Sequence, residues 1–167
     1  DNLRGDYALV LAAVKLKGRA LEFSSAELRA EKEIVLAAVK ENDWAFAHAS
    51  DELRADKDFV LQVVSLKGRA LEFASDELKA DPEVILTAAI EYEWAFDHAA
   101  IELISNRDFI LAAVKLHGLA LEYASEDLRS DREIVLAAVK QNAEALIYAG
   151  SDLRADRELR LNAKLGN

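Results

Sequence analysis

Residues 120–142 read ALEYASEDLRSDREIVLAAVKQN, and the run that starts at Asp131 decides the fold. The same run stands at 34–40 as IVLAAVK, where Ile34, Val35, Ala38 and Val39 recur at i, i+1, i+4 and i+5. That spacing places them on one broad face of a helix. Asp6, Asp56, Asp81, Asp131 and Asp156 occupy the N-cap position, where a carboxylate accepts the free N–H groups of the first turn. Pro82 follows Asp81 at the one helical position where a missing N–H costs nothing. Lys15, Lys40, Lys115 and Lys140 fall in the last turn, facing the negative end of the helix dipole.

Working outward, the run repeats. Leucine recurs every 25 residues at Leu3, Leu28, Leu53, Leu78, Leu103, Leu128 and Leu153, and again at Leu11, Leu36, Leu61, Leu86, Leu111, Leu136 and Leu161. Ala20, Ala45, Ala70, Ala95, Ala120 and Ala145 keep the same step. Repetition without insertion predicts elements stacked in a line, each burying its apolar face on its neighbours. A leucine-rich repeat has a similar period, but its L-x-x-L-x-L-x-x-N pattern is absent and the alanine-rich runs disfavour strands. The fold expected is all-α, an α-solenoid of stacked helix pairs with a 25-residue repeat. It is read as a single helical-repeat array over 1–167, with 153–167 as a C-terminal cap. Arg160, Asn162 and Lys164 replace apolar or small residues there, as a polar capping face requires.

The second half of each unit, such as Arg19–Ser24, predicts a shorter helix with Ala20, Leu21 and Phe23 turned inward. "SSAEL" and "SDEL" then form a turn with Ser or Asp at a cap. Arg29–Glu33, Arg54–Asp58, Arg129–Glu133 and Arg154–Glu158 stand at i, i+4 and are expected to pair as structural support.

A second period of fifty lies over the first. "LKGRALEF" (16–23 and 66–73) and "LHGLALEY" (116–123) alternate with "ENDWAFAH" (41–48), "EYEWAFDH" (91–98) and "QNAEALIY" (141–148). Gly18, Gly68 and Gly118 are expected to end their helices in the left-handed conformation. The two unit types are accordingly expected to turn their corners differently. The stretch 120–142 resembles the domain of unknown function numbered 4116, a family of tandem units, and the likeness runs along essentially the whole chain. The resemblance implies no activity and carries no catalytic residue to this sequence.

Composition narrows the classes. Of 167 residues, 52% are apolar and 31% charged, enough for a buried core and too polar for a membrane-embedded chain. No apolar run approaches the roughly 20 residues a transmembrane helix needs. The formal charge of −10 repels phosphate backbones, so no nucleic-acid partner is expected. Absence of cysteine removes disulfides and thiolate chemistry. The chain has no methionine and starts in mid-repeat, which leaves the compartment open and lets the array continue upstream of Asp1, whereas the polar last unit predicts that it finishes near Asn167.

His48 and His98 share a repeat position with Phe23, Phe73, Tyr123 and Tyr148, which marks a packing slot. With His117 they offer no H-x-x-x-H spacing, so no metal and no cofactor is expected; a cofactor- or pigment-associated subunit using these histidines is the alternative. Acids at repeat-identical positions have equal surroundings, unlike a catalytic acid pair. No phosphate-binding glycine loop or hydrolase elbow occurs, so the chain is read as non-catalytic. A further alternative is an accessory region of an enzyme whose catalytic domain lies elsewhere.

Function is then expected where one copy departs from the others. "AIELIS" (100–105) stands where 50–55 reads "SDELRA", placing Ile101 and Ile104 in positions that are mostly charged. Ile90 replaces a Lys or Ser, and Tyr92 an Asn or Lys. These four are the candidate partner-binding residues, with Trp44 and Trp94 as candidate groove aromatics. The expected role is a protein–protein interaction scaffold, or a subunit of a larger assembly, with an unidentified protein partner.

Overall fold

The computed structural model describes residues 2–165, all in helices and the turns between them; no strand occurs among these residues. Each repeat contains three pieces. A helix of about ten residues is followed by a six-residue 3-10 helix and then a single α-turn, as in Lys32–Glu41, Asp43–His48 and Asp51–Arg54. The chain divides into two compact units, Asp1–Ala95 and Phe96–Asn167.

The caps are made as the sequence requires. Asp6, Asp56, Asp81, Asp131 and Asp156 each accept a first-turn N–H, and Asn106 does the same for Phe109. Glu31 makes no such bond, because its longer side chain does not fold back onto the first turn. Ser25, Ser50, Ser75 and Ser125 cap the single turns by accepting the N–H of Leu28, Leu53, Leu78 and Leu128.

In the first unit, helix Tyr7–Leu16 packs on Lys32–Glu41, which packs on Lys57–Leu66, which packs on Pro82–Ala89. Ile34, Val35, Ala38 and Val39 are fully buried in this stack, as are Phe46, Phe59 and Leu71. Backbone bonds tie successive repeats: Ser25 N–H donates to Arg4 O (2.8 Å), Ser50 to Arg29 O (2.9 Å) and Ser75 to Arg54 O (2.8 Å). The second unit repeats the scheme with Arg107–Leu116, Arg132–Gln141 and Arg157–Leu165, and Ser125 N–H donates to Ile104 O (2.9 Å). Each unit is thus a short α-solenoid.

Four expectations need correction. Gly18, Gly68 and Gly118 do not adopt positive φ. They are glycine because a Cβ on Gly18 would stand 2.3 Å from the carbonyl oxygen of Ala38, and one on Gly68 equally close to Ala88 O. The corners also do not differ systematically by unit type: Lys17 (φ −151°, ψ 101°) and Asn42 (−151°, 115°) share one conformation, and only Pro82–Ala89 ends early, at Ile90 (−57°, −40°). Phe23 is 59% exposed rather than inward. Phe73, its equivalent, is covered by Trp44, which lies 29 residues before it.

Among the described residues the i, i+4 arginine pairs do not form, because a break at positions 30–31 and its equivalents places the two partners on separate helices. Arg19, Arg54, Arg69 and Lys79 instead pair with acids three residues away, and the cations at the first position of the long helices reach the next repeat. Lys32 meets Asp56 (2.6 Å), Lys57 meets Asp81 (2.8 Å) and Glu83 (2.9 Å), Arg107 meets Asp131 (2.9 Å) and Glu133 (2.5 Å), and Arg132 meets Glu158 (2.6 Å).

At the C-terminal helix, Arg160 and Lys164 are exposed where their equivalents Val135 and Val139 are buried. The last residues assigned to the cap, Gly166 and Asn167, lie outside the described residues, as does Asp1.

Candidate functional site

The 3-10 helix Asp43–His48 holds Trp44 at the surface of the first unit. Its neighbours Ala45 and Phe46 are buried, and Phe46 meets Phe59 edge-on with centroids 6.2 Å apart. Anchoring those two residues fixes the turn that presents Trp44, and Asn42 Oδ1 adds an acceptor for Trp44 N–H at 3.0 Å. The indole remains 52% exposed. It tilts against Phe73 with centroids 5.4 Å apart, and the Arg69 guanidinium lies 5.4 Å from the ring centroid, within cation–π range.

Behind Arg69 stands a polar relay. Arg69 Nε donates to Glu72 Oε1 (3.3 Å), and Tyr92 Oη donates to the same carboxylate oxygen at 3.1 Å. Tyr92 and Trp44, separate candidates in the sequence, are therefore linked through Glu72 and Arg69. Tyr92 is half-buried, its Cβ beside Gly68. A cleft of about 450 Å³ opens alongside, lined by Arg19, Asn42, Trp44, Ala47, His48 and Phe73 among others. His48 is half-buried in that wall. Arg19 at its rim is paired through Nε with Glu22 (3.2 Å). The lining is almost wholly apolar carbon, so the cleft suits an apolar group with a polar neighbour at the arginine rim.

The remaining candidates are placed less uniformly. Ile90 is 61% exposed at the C-cap of Pro82–Ala89, and Trp94 is also exposed. In the second unit Ile101 is 71% exposed on the single turn Ile101–Ile104, but Ile104 is half-buried. The pair is not one exposed patch. Ile104 occupies the slot where Arg29, Arg54 and Arg129 bury an Nε that has no hydrogen-bond partner, so the isoleucine removes an unsatisfied donor. His98 is half-buried, and His117 meets Phe96 edge-on at 6.2 Å. Among the described residues no three histidines and acids gather as metal ligands would.

The family model described as "Domain of unknown function (DUF4116)" matches residues 6–54, 31–79, 56–104, 81–129, 106–154 and 131–163. The chain belongs to the DUF4116 family. No curated protein matches it, and no solved structure does. Successive DUF4116 matches start 25 residues apart, so each of the first five covers about two of the repeats described above and the next is displaced by one. DUF4116 is a domain of unknown function and assigns no chemistry to any residue. Sequence reading missed Arg69, Glu72 and Phe73 as parts of it. The available signal was "KGR" recurring at 17–19 and 67–69 on either side of Trp44, where the third odd copy reads "HGL".

No helix among the described residues is long and apolar enough to cross a membrane.

Proposed function

We propose that this DUF4116 protein is a non-catalytic repeat scaffold that binds a protein partner through the cleft beside Trp44. The observation that carries the reading is an exposed tryptophan in contact with both Phe73 and Arg69 and lining an apolar cleft. Trp and Arg dominate binding energy where they are pre-positioned, because little side-chain freedom remains to be lost. The residues common to all repeats cap helices, fill the core or pair adjacent repeats, which leaves the departures for recognition. Ile90 and Ile101 extend the same reading, since each exposed isoleucine gains about 1.5–3 kcal/mol on burial. Each is read as a single anchor within its own unit.

The test is quantitative co-purification from the native source with wild-type bait and with Trp44→Ala plus Arg69→Ala, followed by titration of the retained protein as a purified pair. Loss of a defined partner from the double variant, with an unchanged circular dichroism spectrum, supports the cleft. Ile90→Lys and Ile101→Asp, which restore residues found in other repeats, test the secondary anchors. A partner set identical for wild type and every variant sinks the proposal.

A further inference from the structure

The last helix described, Arg157–Leu165, has an uneven distribution of charge. Its acids face the preceding repeat: Asp156 and Glu158 both receive Arg132, at 3.6 and 2.6 Å, and Asp156 also caps Leu159 N–H at 2.9 Å. Its cations do not share those acids. Arg157, Arg160 and Lys164 are exposed, and among the described residues none of them meets a carboxylate. With Ala155 and the 55% exposed Leu161 they line a cleft of about 400 Å³. Arg160 and Lys164 stand where Val135 and Val139 are buried beneath the following helix, so this is the face on which a further element packs elsewhere in the repeat.

We infer that this basic face is a docking surface for a short acidic segment of a partner protein. The rest of the chain shows what a cation at this position receives. Lys32, Lys57, Arg107 and Arg132, the equivalents of Arg157, each meet the capping Asp of the next helix, and the last three also meet the acid two residues beyond it. Arg157 presents the same group and meets no such acid among the described residues. Arg160 and Lys164 replace the valines that would receive another apolar repeat, so the occupant must supply carboxylates there as well. Leu161 gives that occupant an apolar contact between the charges.

The net charge of −10 decides the class of anion. A long polyanion or an anionic bilayer extends well past three cations and meets the acidic remainder of the surface. A segment about as short as the face stays within a Debye length of roughly 8 Å of the cations and avoids that repulsion. The first repeat of a second copy is a poor match, because it opens Asp6-Tyr7-Ala8 with a single acid and exposes Leu9 where carboxylates are needed.

The experiment is fluorescence anisotropy of the whole chain against a labelled peptide of about twelve residues built from Glu, Asp and Leu. The comparison probes are a Lys-for-acid version of that peptide, a single-stranded oligonucleotide and phosphatidylserine vesicles. Saturable binding of the acidic peptide is expected, weakened about tenfold in Arg157→Ala/Arg160→Ala/Lys164→Ala and by raising salt from about 50 to 300 mM. Because all three side chains are exposed, the circular dichroism spectrum of that variant should match the parent's. Arg157→Glu/Arg160→Glu/Lys164→Glu should switch preference to the Lys peptide. The inference is overturned if the acidic peptide does not bind, if the alanine variant binds it unchanged, or if the oligonucleotide or the vesicles compete it off these residues more tightly than it binds.

Discussion

A Cβ added to Gly68 would stand 2.3 Å from Ala88 O and 2.8 Å from the Cβ of Tyr92, and neither is the far end of a flexible side chain. Backbone must shift to admit it. Gly68→Ala is therefore expected to lower stability by about 1–3 kcal/mol, the usual cost of overpacking, read as the shift in a urea unfolding midpoint. A variant as stable as its parent would show that the approach relaxes freely. The same substitution should loosen the Tyr92–Glu72–Arg69 relay and weaken any ligand of the Trp44 cleft. The role of this glycine was not legible in the sequence. Glycine is used both for positive φ and for its missing Cβ, and only the position of Ala88 O one repeat away distinguishes them. Ile104 was opaque for a related reason: reading it as exposed ignores that the arginines it replaces lay half-buried along their stems.

Among the elements, the single α-turns depend most on their caps, since four residues make almost no internal hydrogen bonds. Ser25, Ser50, Ser75 and Ser125 supply the acceptor, but Ala100 supplies none. Ala100→Ser should raise stability by about 1 kcal/mol and Ser125→Ala should lower it by a similar amount, both measurable by chemical denaturation. These caps were visible in the sequence because Ser recurs at a fixed distance before Leu. The ion pairs were misassigned because spacing along the chain gives no warning of the break between the single turn and the long helix.

The pairs that form make stability depend on acid. A hydrogen bond from Lys32 holds the Asp56 carboxyl below its ordinary value of 3.8. Partial burial pushes Asp81 and Asp131 up, but hydrogen bonds from Lys57 and Arg107 and from backbone N–H groups outweigh it, and both lie below 3.8. Hydrogen bonds to Asp81 and Glu83 push Lys57 up to about 12. Depressed carboxyls stabilise the fold fully above their unfolded pKa, and that contribution is lost as pH falls through the folded values. The melting temperature should therefore drop as pH is lowered from about 5 through 4 and below. Asp131→Asn keeps a capping acceptor, as Asn106 demonstrates, but loses the Arg107 ion pair. Its melting temperature should fall less steeply over that acid range, and an unchanged slope would remove Asp131 from the account.

At the scale of the molecule, the repeat makes stability local. Within the first unit each long helix packs on the next, and the ties from Ser25 to Arg4, Ser50 to Arg29 and Ser75 to Arg54 join adjacent repeats only. Such an array behaves as a line of nearest neighbours, in which damage is felt mainly by the repeat that carries it and those beside it. The period of 25 made this linear arrangement legible from sequence, whereas the alternation of fifty was legible only as a pattern. Its physical cause, the close approach at Gly18 and Gly68, depends on how neighbouring repeats meet. Leu21 tests the locality. It is fully buried on the 3-10 helix Gly18–Phe23, which packs against Tyr7–Leu16 and Lys32–Glu41. Leu21→Ala should cost about 2–5 kcal/mol in the repeats it joins. In hydrogen exchange, Tyr7–Leu16 and then Lys32–Glu41 should lose protection while Pro82–Ala89, two helices further on, keeps most of it. Equal loss across all of these helices would mean that the unit unfolds as one cooperative body, and the Trp44 cleft would then be sensitive to core substitutions throughout Asp1–Ala95 rather than to those in its own repeats.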